Sequence, residues 1–326
     1  MIVVQTPLRL SFLGGGTDYD EFSTQHGGAV LSTAISKGVY VIVKERFDDM
    51  IYVNYSQKEI VDKVDKLQHD LVREAMKMTG VEKGIEITTL ADIPSAGTGL
   101  GSSSAITVGL LQALYAYQEQ IVTAETLSEQ ACQIEIDILG KPIGRQDQYI
   151  TAYGNMQFIT FGNGGVKLTK IELPSENKRR LNDAFLLFYT GITRQSSQIL
   201  SEQKANINQK IATLSEMKRL AFEARRTIVE CAFDEFGELL HKGWELKRGL
   251  ASRITNPQID EAYQTARQAG AIGGKIAGAG GGGFLLLYCR NGKQDGVRQA
   301  LRGLRELPFR FQADGSKVIF NYRGAE

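Results

Sequence analysis

Residues 94–105 read PSAGTGLGSSSA, and this stretch decides the fold. Glycines at 97, 99 and 101 strip every Cβ from one wall of a loop, so main-chain N–H groups can converge on an anion. Ser102, Ser103 and Ser104 follow, and an apolar helix is expected from about residue 105 to 117. The positive end of its dipole then points back into the loop. A serine-capped glycine turn is the plain alternative, but such a turn does not require three alternate glycines and three serines together. The stretch reads as a phosphate cradle. No GxxxxGK[ST] occurs, so it is not a Walker A loop.

Two further glycine clusters flank it. Residues 278–283, GAGGGG, fit GxGxxG, but a strand, FLLLYC, follows where a dinucleotide site needs a helix. The cluster reads as a tight hairpin or as a main-chain wall closing over a ligand. Residues 13–19, LGGGTDY, end a strand with three glycines, which suits close approach of a ligand, or else an Asx-type turn made by Asp18.

Outward from these clusters, short β-branched or alternating runs predict strands at 1–4, 8–13, 39–45, 50–55, 85–90, 184–190 and 284–289. Helices are expected over 60–79, 124–139, much of 195–253, 257–269 and 294–303. The turn chemistry of FGNGG, residues 161–165, predicts a boundary between domains 1–163 and 164–326. The 326 residues suit roughly two domains at about 150 each.

Composition narrows the function. Hydrophobic residues make up 42%, and Lys+Arg 38 against Asp+Glu 37 gives a net charge of +1. That excludes a disordered chain and gives no support to nucleic-acid or membrane partners. Glycine, 35 residues or about 11%, exceeds the usual ~7%. Three scattered cysteines and three scattered histidines form neither a disulfide framework nor a zinc motif. With no signal-peptide pattern, a cytoplasmic protein is expected.

Together the three clusters, in this order, resemble the GHMP kinases, the superfamily of galactokinase, homoserine kinase, mevalonate kinase and phosphomevalonate kinase. The matching segments are TPLRLSFLGGGTDY (6–19), GLGSSSA (99–105) and GGKIAGAGGGGF (273–284). FLGGGTDY, GRQDQY and LLFYTGITR are similar to the branch acting on D-glycero-D-manno-heptose 7-phosphate at its C1 hydroxyl. Gly15 and Gly16 stand where galactokinases have a Glu-His pair, which argues against galactose.

The resemblance implies an α/β (α+β) fold. It pairs an N-terminal domain like ribosomal protein S5 domain 2 with a ferredoxin-like C-terminal domain, and sets the site between them. It implies ATP held by Gly97, Gly99, Leu100, Gly101, Ser102, Ser103 and Ser104, and Mg²⁺ held by Ser103 and Glu135. Asp137 is the local competitor, about 200° away on a helix. Asp147 becomes the base and Arg9 its charged partner. Asp18, Gly15, Gly16, Thr17, Gly280 and Gly281 are expected at the sugar phosphate. Lys141, Arg145, Lys247, Lys275 and above all Arg194 are candidates for its far phosphate. Another sugar, or a silent nucleotide- and sugar-binding regulator, are the alternatives. The chain is expected to be a monomer or a homodimer.

Overall fold

A computed structural model describes residues 1–94, 97–193 and 196–322. The chain alternates between two sheets. The first is built on β1 (Ile2–Leu13) and β2 (Gly28–Glu45), joined by β3 (Ile51–Asn54), β4 (Lys58–Val61), β5 (Ile85–Ala91), β6 (Met156–Gly162) and β7 (Gly165–Lys170). The second comprises β8 (Phe185–Tyr189), β9 (Ala271–Ile276), β10 (Phe284–Cys289) and β11 (Arg305–Glu306), in the order β11-β8-β10-β9. The last strand, β12 (Lys317–Asn321), returns to pair antiparallel with β1 in the first sheet.

β2 organises the first sheet. Its N-terminal half pairs with β6, its C-terminal half with β5, and β1 runs along most of its length. Its first eight residues are all buried, covered on both faces, so no alternation marks them in the sequence and only 39–45 was expected. β1 likewise continues through Pro7, with a shift of register between Pro7 and Leu8. Phe12, near the end of β1, stacks on Phe185 of β8 at 5.2 Å and meets Phe236 edge-on at 5.5 Å. This aromatic core fixes the Gly14–Gly16 turn against the second sheet.

Three expectations need correction. The helix predicted over 60–79 begins only at Asp70. β4 pairs with β3, a single 3₁₀ turn follows at Val64–Lys66, and Glu59 accepts from the N–H groups of Gln68 and His69 just before the helix. The helix predicted over 124–139 is α-helical only over Ala124–Cys132 and widens to a π-turn over Gln133–Ile138. The boundary expected between 163 and 164 falls inside the β6–β7 hairpin, both strands of which belong to the first sheet. The change of sheet follows Lys170, and β12 carries the chain back across it. Among the described residues no helix is long and apolar enough to cross a membrane.

Candidate active site

Arg9 and Asp147 form the centre of the site. Arg9 leaves β1 beside the phosphate loop, and its main-chain N–H donates to Leu100 O at 3.0 Å. Its Nε and Nη2 donate to the two carboxylate oxygens of Asp147 at 2.7 and 2.6 Å, and Nη1 donates to Gly99 O at 2.6 Å. A planar fork fixed at three donors places both charges rigidly. The Arg9 side chain is 6% exposed and that of Asp147 20%, so the carboxylate is the partner that faces the cleft. Asp147 lies in the first turn of the helix Gln146–Tyr153.

The glycine loop lies directly over this pair. Gly97, Gly99 and Gly101 have φ of 70°, 77° and 80°. A Cβ on Gly101 would stand 3.0 Å from Arg9 Cγ and 3.4 Å from an Asp147 carboxylate oxygen. One on Gly99 would stand 2.3 Å from Ala277 O, because the loop packs main chain to main chain on the third glycine cluster. That cluster is therefore both the β9–β10 connection and a wall. Gly99→Ala is expected to lose about 1–3 kcal/mol of stability from its left-handed backbone alone, more with the contact, read by denaturant unfolding. Unchanged stability would show that the loop sits free of the wall.

The helix expected at about 105 begins at Ser102, capped by Gly101 with no side-chain hydrogen bond to its first turn. Its leading N–H groups therefore lack a side-chain cap and are available to a ligand. Ser102 and Ser104 are buried and Ser103 is exposed, while Leu100 is a buried anchor. Ser102 Oγ and Thr98 Oγ1 are buried without a partner among the described residues, which suits a loop that receives phosphate oxygens.

Glu135 projects from the π-turn and is fully buried. Ser103 Oγ donates to its Oε1 at 2.5 Å and Gln148 Nε2 to its Oε2 at 2.7 Å. Lys141 Nζ stands 3.7 Å from Oε1 and 3.3 Å from Ser103 Oγ. Burial pushes the Glu135 carboxyl above its ordinary range, opposed by Lys141, Ser103, Ser104 and Gln148. A buried carboxylate beside a hydroxyl is an all-oxygen donor set that fits Mg²⁺, which keeps much of its own water. Asp137, by contrast, is exposed.

Asp18 lies across the cleft at 2% exposure and accepts from Gly16 N at 2.9 Å and Gln146 N at 3.1 Å. Burial pushes its carboxyl up, and those N–H groups oppose the shift. Gly144 is required here, since a Cβ would lie 2.1 Å from an Asp18 oxygen. Gly15, Gly16, Asp18, Arg9 and Asp147 line one cleft of about 90 Å³. Thr17 does not reach it: its hydroxyl is buried on Gly14 O and Ala29 O. Gly280 and Gly281 are also turned away and pack against Ile254.

Of the basic candidates, Arg145 pairs with Asp20 at 2.7 Å, Lys141 serves Glu135, and Lys247 and Lys275 line the cleft. Arg194 lies outside the described residues. Gln203, Tyr19 and Ser11 also line the cleft; Ser11 and Tyr19 belong to the segment 6–19, and Gln203 carries no signal in the sequence.

The family model for the N-terminal domain of GHMP kinases matches residues 63–155, and that for their C-terminal domain matches residues 225–305. The chain is 28% identical over 316 residues to the D-glycero-alpha-D-manno-heptose 7-phosphate kinase of Campylobacter jejuni, covering 92% of this chain and 93% of that one. It is 29% identical over 328 residues to the L-fucokinase/L-fucose-1-P guanylyltransferase of Bacteroides fragilis, covering 88% of this chain but 34% of that longer protein. The crystal structure of a D-glycero-D-manno-heptose 1-phosphate kinase from Bacteroides thetaiotaomicron superposes with a TM-score of 0.82 at 25% identity, covering 99% of this chain and all of that one.

Proposed function

The chain belongs to the GHMP kinases and is a sugar kinase with ATP as its phosphate donor, and from that premise we propose its acceptor: the C1 hydroxyl of D-glycero-D-manno-heptose 7-phosphate. The product is then the heptose 1,7-bisphosphate, and the cytoplasm is where ATP and such a sugar meet. The observation that carries the reading is the carboxylate of Asp147, gripped by Arg9 beneath the glycine loop and exposed to a cleft that Gly15, Gly16 and Asp18 also line.

Phosphoryl transfer asks mainly for positioning and charge neutralisation. N–H groups around Gly97–Ser104 hold the ATP phosphates, and Asp18 accepts hydrogen bonds from sugar hydroxyls. Mg²⁺, when bound by Ser103 and Glu135, neutralises phosphate charge. Asp147 accepts the hydroxyl proton while Arg9 holds its plane. An anomeric hydroxyl is the most acidic on a sugar, so a carboxylate suffices for this step.

The remote phosphate calls for fixed positive charge. We assign it to Lys247, with Arg194 as the candidate read from the sequence alone. Lys247→Met is expected to raise KM for the phosphorylated heptose by about 10- to 100-fold, the worth of one charged hydrogen bond. Activity on unphosphorylated heptose should change little, and equal losses on both sugars would remove Lys247 from this role.

ADP release with the heptose 7-phosphate, followed by NMR of the product, tests the substrate. A new phosphate on C1 supports the reading. Preference for L-fucose, galactose or the unphosphorylated heptose overturns it. Binding of nucleotide and sugar without turnover would instead describe a regulator.

A further inference from the structure

Lys275 belongs to β9 of the second sheet, yet its side chain reaches the end of β1 in the first. Its Nζ donates to Ser11 O at 2.8 Å and Phe12 O at 3.1 Å, immediately before the Gly14–Gly16 turn. The residue is 5% exposed and lines the cleft shared by Arg9, Asp18 and Asp147. Among the described residues it forms no salt bridge. Both oxygens of Asp147 are held by Arg9, and those of Asp18 by main-chain N–H groups. A buried cation in direct contact with no carboxylate is costly, and the nearby charges of Asp18 and Asp147 offset only part of that cost. An ammonium has three N–H donors, and the two carbonyls leave one for the cleft.

We propose that Lys275 is a catalytic residue whose remaining N–H meets the acceptor oxygen of the sugar as that oxygen gives up its proton. The hydroxyl proton passes to Asp147. A bond forms from the sugar oxygen to the γ-phosphorus, the bond from γ-phosphorus to the bridging oxygen breaks, and its electron pair leaves with ADP. Lys275 keeps its own three protons throughout. Arg9 counts +1 against Asp18 and Asp147, so the ammonium brings the cluster to neutrality before charge grows on the oxygen. The inference rests on the sugar-kinase reading, though not on which sugar is used.

The groups facing Lys275 are Arg9 from β1, Asp18 from the following turn and Asp147 from its helix. Burial first, then Arg9, push its amine down to about 7, while Asp18 and Asp147 pull it up. A group that must be protonated loses activity as pH rises through that value, so kcat/KM of the free enzyme should fall above about pH 7.

The test uses the full chain, ATP and whichever sugar the wild type accepts. A wild type that turns over no sugar refutes the kinase reading before any variant is made. Lys275→Met should lower kcat by about 10²- to 10³-fold, as for loss of one donor to a developing oxyanion, with the ATP Kd unchanged and the alkaline limb abolished. A kcat near wild type, or a slow variant that keeps the limb near pH 7, overturns the proposal. Should Lys275→Met fail to fold, Lys275→Arg decides. Displacement of the limb by two pH units or more upholds the role, and a limb that stays near pH 7 overturns it.

Discussion

Asp147→Asn is expected to lower kcat by about 10²- to 10⁴-fold while leaving ATP binding nearly intact. The substitution preserves shape and removes the base. It also changes one oxygen that accepts from Arg9 into an NH₂ group, which faces the guanidinium donor to donor. Of the two bonds at 2.7 and 2.6 Å, one is lost, and Arg9 is left holding Gly99 O at 2.6 Å. In the proposed site ATP is held by the loop, not by this carboxylate, so calorimetry of nucleotide binding should read close to wild type. The kinetic loss should appear equally in kcat and kcat/KM, because the proton moves only in the transition state. A variant with near-wild-type kcat would take Asp147 out of the reaction.

The glycine clusters mark this candidate site in the sequence itself. Gly99, Gly101, Asp18, Arg9 and Asp147 lie up to 138 positions apart along the chain, yet they converge: the two glycines and Asp147 sit at helix starts, Asp18 in the turn after β1, and Arg9 within β1. Chemistry concentrated at such ends leaves a local mark: alternate glycines, a serine run, an aspartate after a turn. Gln203 left no such mark, and Lys275, inside the third glycine segment, reads in the sequence only as a candidate for the far phosphate. Their places in the cleft depend on how the second sheet and a mid-chain helix meet β1, which local sequence does not encode.

The fold was less legible than the site, for two physical reasons. Strands buried on both faces, such as the first half of β2, show no alternation. Pairings such as β12 with β1 join residues more than 300 apart, and no local pattern announces them. The apolar spacing of Val61, Val64 and Leu67 imitated a helix, but Glu59 captures the very N–H groups that a helix would need.

Glu135→Gln is the second large effect. Two oxygens, Ser103 Oγ and a Glu135 carboxylate oxygen 2.5 Å apart, are the protein's share of the proposed Mg²⁺ shell. Loss of a mere supporting partner at a metal site costs about 10- to 100-fold in affinity, and a direct ligand should cost at least that. The Mg²⁺ concentration for half-maximal rate should rise accordingly for Glu135→Gln, and in the same direction for Ser103→Ala. Asp137→Asn, on the exposed side of the π-turn, should leave it unchanged. Stability supplies an independent sign. Burial raises the Glu135 carboxyl above its ordinary value of 4.5, so its contribution is present below that value and is lost as pH rises through the folded-state value. Once deprotonated, the metal-free wild type carries a buried charge that Lys141 at 3.7 Å only partly offsets, and the Gln variant does not. Metal-free Glu135→Gln should melt no lower than wild type, whereas Mg²⁺ with a non-hydrolysable ATP analogue should raise the wild-type Tm more than the variant's. A Mg²⁺ response that follows Asp137 instead would place the metal on the opposite face of the turn, away from Ser103 and the phosphate loop.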